Sequence, residues 1–544
     1  MRPPFVAGVF FSLAASLPTA SLATALDAAT LQKIDGIFSR FTQTTPGCAL
    51  GISQNGTMTT RAWGMADLER DVPNAPGTIF ESGSAAKQIT AAAVLLLVRE
   101  GKLSLDDPVR KHIPELPDYG APLTLRHALQ HTAGLRDWGN LVAVEGWPRG
   151  ERNYTNAHTV ALLAQQRSLN FAPGTNWSYS NSGYILAAEI VARVSGKSLA
   201  QFSMERLFVP LKMKNTRWRD DHTAVVKGRA LAYANVRDGY RTAMPNENNH
   251  GAGGMLTTVE DFLIWTDAIN RPGFFDAEFL RTMHEPAKLA GGSTYPYSLG
   301  LQHRVWRGVK EVHHGGATAG YRTEVAAFPD QQLHLAVLCN ATNANAGTAL
   351  HNVAALLLGD VLQRAEQPKS AHTLTDAERA AFVGLYRDPR AIGARRIVTD
   401  DKSPSGLRVQ DGPPLLALDA STLTTAEGLR FARTAKGVTV TNVSGPPQQW
   451  DKVAPATPDA AALKEYEGRY ASDEVRAEFN VKVVDGKLML VQPPRTNVRL
   501  NPVSADLFES PVAGIAFLRN GSGKVTGLAV GGDRMWRLEM RRME

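Results

Sequence analysis

Cysteine is scarce in this sequence, which also lacks clusters of like charge and, after its first residues, long apolar runs. Its two cysteines, among 544 residues, are too few to make a metal site on their own. The net charge of +7, from 59 basic and 52 acidic residues, is small for this length, and no long basic run is present. Nucleic acid is therefore not an expected partner, and we expect no metal and no other cofactor.

The missing apolar runs also bear on membrane insertion. After the first residues, no stretch approaches the roughly 18 apolar residues of a transmembrane helix. The first residues include Arg2, an apolar run at 5–17 and small residues at 23–25, a pattern typical of a secretory signal peptide at 1–25. We therefore expect an exported protein, periplasmic or secreted, with no membrane span.

The two cysteines, Cys48 and Cys339, both lie in apolar runs that resemble strands. Two buried free thiols are the simpler interpretation. An export compartment permits a disulfide, so the sequence leaves both states open.

Length and composition predict several domains. A content of 43% hydrophobic and 20% charged residues is ordinary for globular proteins, but 544 residues exceed what one core accommodates. From about residue 368, short strand-like runs replace helical ones. There Phe382-Val383-Gly384-Leu385-Tyr386 is echoed by Tyr466-Glu467-Gly468-Arg469-Tyr470, and Trp450 by Trp536. This duplication predicts two small antiparallel β-barrels.

A helix-forming run follows Ser84. The segment 88–99 is rich in alanine and leucine and has no proline or glycine, which predicts a helix. Ser84 and Lys87 lie three residues apart at its start and so share one helical face. This S-x-x-K spacing is typical of serine acyl-transfer enzymes, in which the lysine helps to remove the serine proton. The alternative is that Ser84 only caps the helix and Lys87 is a solvated charge.

A polar loop with Tyr179 and Asn181 lies between the turn Pro173-Gly174 and a predicted helix. A loop held at both ends by structured elements tends to present its side chains to a cleft. The Tyr-x-Asn pattern is weak by itself, because it recurs at 154–156 and 233–235, but only the copy at Tyr179 has these neighbours. We therefore interpret Tyr179 and Asn181 as candidate site residues.

Paired glycines beside a histidine precede two predicted strands. These are His314, Gly315 and Gly316, followed by Ala317. Glycines let a substrate backbone approach closely, and a strand edge can pair with an extended substrate. The alternative is a glycine-rich turn with a surface histidine.

Two other histidines, His127 and His131, have the spacing of two metal ligands on one helix. No glutamate follows His127, and no third ligand is evident. We interpret both histidines as structural.

The order of the three motifs resembles the penicillin-recognising serine hydrolases. Ser84-x-x-Lys87, Tyr179-x-Asn181 and His314-Gly315-Gly316 are similar to the class C β-lactamase-related group, with its D-Ala-D-Ala carboxypeptidases, D-aminopeptidases and esterases. The resemblance covers about residues 26–363. It implies an α+β fold, in which helices flank an antiparallel five-stranded sheet and an all-α insert spans about 102–246.

That fold has further implications for the whole chain. It places the two cysteines on the first and last strands, where they could be neighbours. The C-terminal β-rich domains resemble those of D-aminopeptidases, in which such a unit reaches the cleft and limits substrate size. The expected parts are a signal peptide, the hydrolase domain and two β-barrel-like domains, at 1–25, 26–367, 368–455 and 456–544.

The resemblance also implies roles for the site residues. Ser84 would be the acylated nucleophile, and Lys87 or Tyr179 would be the base that takes its proton, with the choice left open. Asn181 would bind the substrate amide or Lys87. The backbone N–H groups of Ser84 and Ala317 would form the oxyanion hole.

His314 stands where many relatives carry lysine, which puts β-lactam hydrolysis in doubt. The expected function is an exported serine hydrolase that cleaves amide bonds, with a D-amino-acid peptide as the leading substrate, or ester bonds, through an acyl-enzyme on Ser84. The alternatives are a β-lactamase and a non-catalytic protein that binds peptidoglycan or another ligand. The expected partner is a small-molecule or peptide substrate, and the oligomeric state stays open.

Overall fold

The computed structural model describes residues 26–364, 369–426, 428–441, 447–492 and 496–544. The predicted signal peptide and the predicted boundary at 367/368 lie outside these residues. The strands of the hydrolase domain are β1 Cys48–Gln54, β2 Thr57–Trp63, β3 Met65–Asp67, β4 Val72–Pro73, β5 Phe80–Glu81, β6 Arg217–Trp218, β7 Tyr233–Val236, β8 Gly239–Thr242, β9 Met255–Thr257, β10 Ala287–Lys288, β11 Thr294–Tyr295, β12 Gln302–Trp306, β13 Val309–Thr318, β14 Tyr321–Phe328 and β15 Leu333–Cys339.

Six of these strands form the central antiparallel sheet, in the order β12-β13-β14-β15-β1-β2. The α+β fold is confirmed, but the expectation of five strands is wrong because β12 adds a sixth. A tight turn at Arg307 and Gly308, both at positive φ, folds β12 onto β13. This edge strand is largely half-exposed, so it carries little of the apolar alternation that marks a strand in sequence.

Helices cover both faces of this sheet. Side chains alternate between the faces: Leu335 and Val337 pack with α1 and α11, and Ala336 and Leu338 belong to the larger core on the other side. The helices are α1 Ala28–Phe38, α2 Lys87–Arg99, α3 Val109–His112, α4 Leu125–Leu129, α5 Trp138–Val144, α6 Asn156–Ala164, α7 Asn181–Ser195, α8 Leu199–Ser203, α9 Val259–Asn270, α10 Ala277–Met283 and α11 Ala346–Leu358. Among the described residues, no helix has the length and apolar character to span a membrane.

The two cysteines form a disulfide. Cys48 and Cys339 are register partners on the neighbouring strands β1 and β15. The simpler interpretation of two free thiols is therefore wrong. Antiparallel pairing of the first and last strands brings together residues 291 positions apart.

The expected all-α insert at about 102–246 needs a correction. It contains α3 to α8, but also the short strands β6, β7 and β8. β7 and β8 form a hairpin around Arg237 and Asp238. Beside it, Asn340 accepts a hydrogen bond from the Tyr233 N–H group, which ties the hairpin to the end of β15.

Two barrel-like antiparallel sheets follow, as predicted. The first domain contains α12 Asp376–Phe382 and the strands β16 Gly384–Arg387, β17 Ala394–Thr399, β18 Leu407–Val409, β19 Leu416–Ala417, β20 Thr422–Thr424, β21 Arg430–Arg433, β22 Gly437–Thr441 and β23 Gln448–Val453. The second contains α13 Ala460–Lys464 and the strands β24 Gly468–Ser472, β25 Ala477–Val484, β26 Lys487–Gln492, β27 Thr496–Arg499, β28 Asn501–Ser504, β29 Leu507–Glu509, β30 Gly514–Arg519, β31 Val525–Gly532 and β32 Met535–Met543.

The sequence echo corresponds to matching positions in the two domains. In the first, the Tyr386 hydroxyl donates to the Phe382 carbonyl, and in the second the Tyr470 hydroxyl donates to the Tyr466 carbonyl. In each domain a short helix precedes the first strand, which contains this tyrosine and pairs with the last strand of the sheet.

The second β-rich domain packs on the helical insert. Buried Arg136 forms an ion pair with Glu474 at 2.6 Å and also donates to the Arg537 carbonyl at 2.6 Å. Gln166 donates to the Glu474 carbonyl. These contacts hold the turn between β24 and β25 and the start of β32 against the insert.

Candidate active site

Ser84 lies in the helical turn Gly83–Ala86, directly before α2. Its hydroxyl contacts Lys87 Nζ at 3.2 Å, and no side chain caps the start of α2. Gly83 adopts a left-handed φ of 53°, and a Cβ there would lie 2.7 Å from the Ala317 nitrogen. Glycine is therefore required at this position for both conformation and space.

Lys87 is completely buried at the first position of α2. Its Nζ atom is 2.8 Å from Asn181 Oδ1 and 2.6 Å from the Ala252 carbonyl oxygen. Burial holds the pKa of Lys87 well below its ordinary value, because the ammonium form loses its hydration, and Asp137 only partly opposes this effect.

Asn181 is oriented by Asp137. Asp137 Oδ2 accepts hydrogen bonds from Asn181 N at 2.7 Å and from Asn181 Nδ2 at 2.9 Å. The amide nitrogen therefore faces Asp137, and the amide oxygen faces Lys87. Of the two implied partners of Asn181, the structure shows Lys87.

The Tyr179 ring packs beside Lys87, whose Nζ lies 4.8 Å from the ring centre. Burial raises the pKa of Tyr179, and Ser84 and Arg534 oppose that rise. The tyrosine hydroxyl has no hydrogen-bond partner among the described residues, although Ser84 is near. The ring of His131, the histidine interpreted as structural, lies 4.2 Å behind the Tyr179 ring, and its Nδ1 accepts from the Ser180 N–H group.

β13 passes close to the serine turn. A Cβ on Gly316 would lie 2.0 Å from the Ser82 carbonyl oxygen and 3.2 Å from Ser84 N, so only glycine allows this approach. It brings the next residue, Ala317, within reach of the same turn. The backbone N–H groups of Ser84 and Ala317 thus lie on neighbouring segments at one end of the cleft.

His314 is buried on β13. Its Nδ1 lies 2.6 Å from the Gly315 carbonyl oxygen, which can only accept, so Nδ1 carries the proton. Its Nε2 then accepts from the Tyr297 hydroxyl at 3.0 Å. Burial, reinforced by Lys87, lowers the pKa of His314 to about 3. The ring is therefore neutral at neutral pH.

The structure places all eight predicted site residues together. Seven of them line one cleft of about 750 Å³, and Lys87 lies beneath its floor. The seven are Ser84, Tyr179, Asn181, His314, Gly315, Gly316 and Ala317. In the described part of the chain, no group of three or more histidine, cysteine, aspartate or glutamate residues is placed to hold a metal ion.

Sequence reasoning missed Asp137 and three arginines of the cleft, Arg149, Arg322 and Arg534. Arg149 pairs with Glu247, and Arg534 comes from the second β-rich domain. None belongs to a motif, and only the three-dimensional packing brings them to the cleft.

Comparison with known proteins agrees with this geometry. Residues 28–360, more than half of the chain, match the family described as Beta-lactamase. The chain belongs to the beta-lactamase family. It is a serine hydrolase of the β-lactamase-related type, in line with the D-aminopeptidase of Cereibacter sphaeroides, which is 27% identical over 508 residues, 89% of this chain and 94% of that protein.

Two solved structures share the fold. The octameric penicillin-binding protein homologue from Pyrococcus abyssi has a TM-score of 0.56 and 22% identity, covering 86% of this chain and 98% of that one. The D-amino acid amidase from Ochrobactrum anthropi SV3, complexed with L-phenylalanine, has a TM-score of 0.52 and 21% identity, covering 61% and 98%.

Proposed function

We propose that this protein hydrolyses amide bonds of D-amino-acid substrates through an acyl-enzyme on Ser84. The hydrogen bonds of Lys87 are the observation that carries the proposal. Asn181 Oδ1 and the Ala252 carbonyl oxygen can only accept, so they take the two N–H bonds of a neutral amine. The lone pair of the amine then remains for the proton of the Ser84 hydroxyl.

The chemical steps follow from this arrangement. Ser84 Oγ attacks the substrate carbonyl carbon while Lys87 takes its proton. The N–H groups of Ser84 and Ala317 stabilise the oxyanion, each by about 3 kcal/mol. Tyr179, protonated because its site is buried, gives its proton to the leaving nitrogen as the C–N bond breaks. The proton on Lys87 then restores Tyr179, and water hydrolyses the ester.

The substrate class rests on the sequence relatives. The relative from Cereibacter sphaeroides is named a D-aminopeptidase and matches over most of both chains. An amide of a D-amino acid is therefore the leading substrate, and ester cleavage by the same acyl-enzyme is a side activity.

Export is part of the proposal. The N-terminal pattern of a charged residue, an apolar run and small residues supports a signal peptide at 1–25. The disulfide between Cys48 and Cys339 supports an oxidising compartment such as the periplasm.

A substrate panel tests the function. The purified protein is assayed with D-alanine and L-alanine p-nitroanilides, a p-nitrophenyl ester and nitrocefin. We expect a higher kcat/KM for the D-alanine anilide than for the L-alanine anilide. All turnover is expected to disappear in Ser84→Ala. A preference for the L-enantiomer would contradict the substrate class, and faster turnover of nitrocefin than of amides would favour a β-lactamase.

Ser82→Ala is the matched control for Ser84→Ala. The Ser82 hydroxyl donates to the Met255 carbonyl, which also accepts from the Ser82 N–H group. The carbonyl therefore keeps a partner in the variant, and we expect activity to be retained. Full activity in Ser84→Ala would overturn the proposed nucleophile.

A further inference from the structure

Arg534 reaches the cleft from the second β-rich domain. It lies in the turn between β31 and β32, and its guanidinium carbon is 4.8 Å from the centre of the Tyr179 ring. It lines the same cleft as Ser84. A residue 450 positions after the nucleophile thus contacts the residue proposed to protonate the leaving nitrogen.

The backbone, not the guanidinium, anchors this turn. The Arg534 carbonyl accepts from Asp137 N at 3.1 Å and from Asn170 Nδ2 at 3.2 Å. Asn170 Oδ1 also accepts from Trp536 N at 3.0 Å. The position of the turn is therefore fixed without any contribution from the charged group of Arg534.

The guanidinium of Arg534 has no carboxylate partner among the described residues, and the side chain is exposed to the cleft. The guanidinium groups of the other two arginines of the cleft have protein partners: Arg149 pairs with Glu247, and Arg322 donates to the carbonyls of Ala319 and Tyr321. An unpaired guanidinium offers a fork of donors that matches a carboxylate.

The charges of the cleft favour an anion beside Tyr179. Glu324 is the only carboxylate among the described residues that line the cleft, and its Oε1 lies 2.9 Å from His313 Nδ1. Glu324 and Ser84 lie on opposite faces of β13. A Cβ on Gly315 would meet Glu324 Oε2, whereas a Cβ on Gly316 would meet the turn that holds Ser84. On the Ser84 side, the charged groups are cationic or, like Asp137, already hydrogen-bonded.

We propose that Arg534 is a specificity-determining residue that binds a carboxylate on the leaving group of the substrate. An amino acid released from an amide carries its α-carboxylate two bonds from the nitrogen that Tyr179 protonates, and the Arg534 guanidinium lies beside the Tyr179 ring. Neutral His314 cannot supply the charge for this carboxylate. The inference rests on the proposed function, and it makes a peptide with a free C-terminal carboxylate a better substrate than a simple amide.

The test compares D-alanyl-D-alanine with D-alanyl-D-alanine amide in the wild type, Arg534→Gln, Arg534→Lys and the control Arg537→Gln. The Arg537 side chain pairs with exposed Glu539 on the same strand. We expect Arg534→Gln to lower kcat/KM for the free dipeptide about 10- to 100-fold and to leave the amide within about 3-fold. Arg534→Lys keeps the charge but lacks the forked pair of donors, so its kcat/KM for the free dipeptide is expected to lie between those of Arg534→Gln and the wild type. Arg537→Gln is expected to match the wild type.

An equal loss for both substrates in Arg534→Gln, or no loss for either, would overturn the inference. Calorimetric binding of the two dipeptides to Ser84→Ala, with and without Arg534→Gln, separates it from the proposed function. Absence of turnover in the wild type contradicts the proposed function. Absence of a binding preference for the free carboxylate that depends on Arg534 contradicts this inference.

Discussion

Burial shifts the pKa values of Lys87 and Tyr179 in opposite directions, and this separates their roles. Lys87 loses the hydration of its ammonium form, so its pKa falls and the neutral base is favoured. Tyr179 loses the hydration of its phenolate form, so its pKa rises and the protonated acid is favoured. The resemblance left the acylation base open, and these directions favour Lys87.

Asp137→Asn tests the state of Lys87 at the residue scale. The charge of Asp137 stabilises the ammonium form, so its removal lowers the pKa of Lys87 further. Because activity requires the neutral amine, the acidic limb of the pH profile of kcat/KM is expected to move to lower pH. Asp106→Asn, at an exposed ion pair, is the control. A limb that moves to higher pH would contradict Lys87 as the base.

Tyr179→Phe separates the acid from the base. An anilide nitrogen needs a proton to leave, so its kcat/KM is expected to fall about 10²- to 10⁴-fold. A p-nitrophenyl ester releases a stable anion and is expected to lose far less. Steady-state assays of both substrates measure the difference, and equal losses would assign the proton transfer to another group.

The site residues were predictable where two functional side chains lie only a few positions apart in the sequence. Ser84 and Lys87 share a helix turn, and Tyr179 lies two residues before Asn181, the first residue of α7. Asp137 was not predictable, because its carboxylate acts through Asn181 across 44 positions. In the sequence, Asp137 looks like an ordinary helix N-cap, and it is also the N-cap of α5.

At the scale of elements, the approach of β13 to the serine turn depends on Gly316. Gly316→Ala places a Cβ against the Ser82 carbonyl, so β13 has to move away and take the Ala317 N–H group with it. We expect kcat for amides to fall about 10²- to 10³-fold, the loss typical of one oxyanion donor. Gly273→Ala, where a Cβ meets nothing within 4 Å, is the control. Unchanged kcat in a folded Gly316→Ala protein would exclude this oxyanion hole.

Elements with strong local signals were predictable, and edge elements were not. Asn55-Gly56 is a strong local signal for a β-hairpin, and β1 and β2 pair across it in full register. β12 and the β7–β8 hairpin were missed because their exposed residues lack the alternation of buried strands. The pairing of β1 with β15, and hence the disulfide, depends on long-range topology that no local pattern contains.

For the whole molecule, the buried ion pair of Arg136 and Glu474 joins the hydrolase domain to the second β-rich domain. Arg136 is 3% exposed, so removal of its partner leaves a buried cation. Glu474→Ala is expected to lower the free energy of unfolding by about 3–5 kcal/mol. It is also expected to reduce activity, because the second β-rich domain, which carries Arg534, loses a contact with the insert. Thermal unfolding and amide assays measure both effects. In the control Glu478→Ala, which breaks an exposed pair with Arg469, little change is expected, and equal effects would contradict the role of the interface.

The domain order was predictable from composition and from the repeated tyrosine motif, because each β-rich domain contains its own tyrosine hydrogen bond. The docking of these domains was not, since it rests on Arg136, Glu474 and Asn170, which are hundreds of positions apart in sequence from their partners.

Covalent labelling of the protein by a fluorophosphonate probe tests the central claim, that Ser84 is the nucleophile, most directly. Mass spectrometry of the labelled wild type is expected to show one adduct, on the peptide that contains Ser84, and Ser84→Ala is expected to show none. Equal labelling of the two proteins, or an adduct on another residue, would contradict the account.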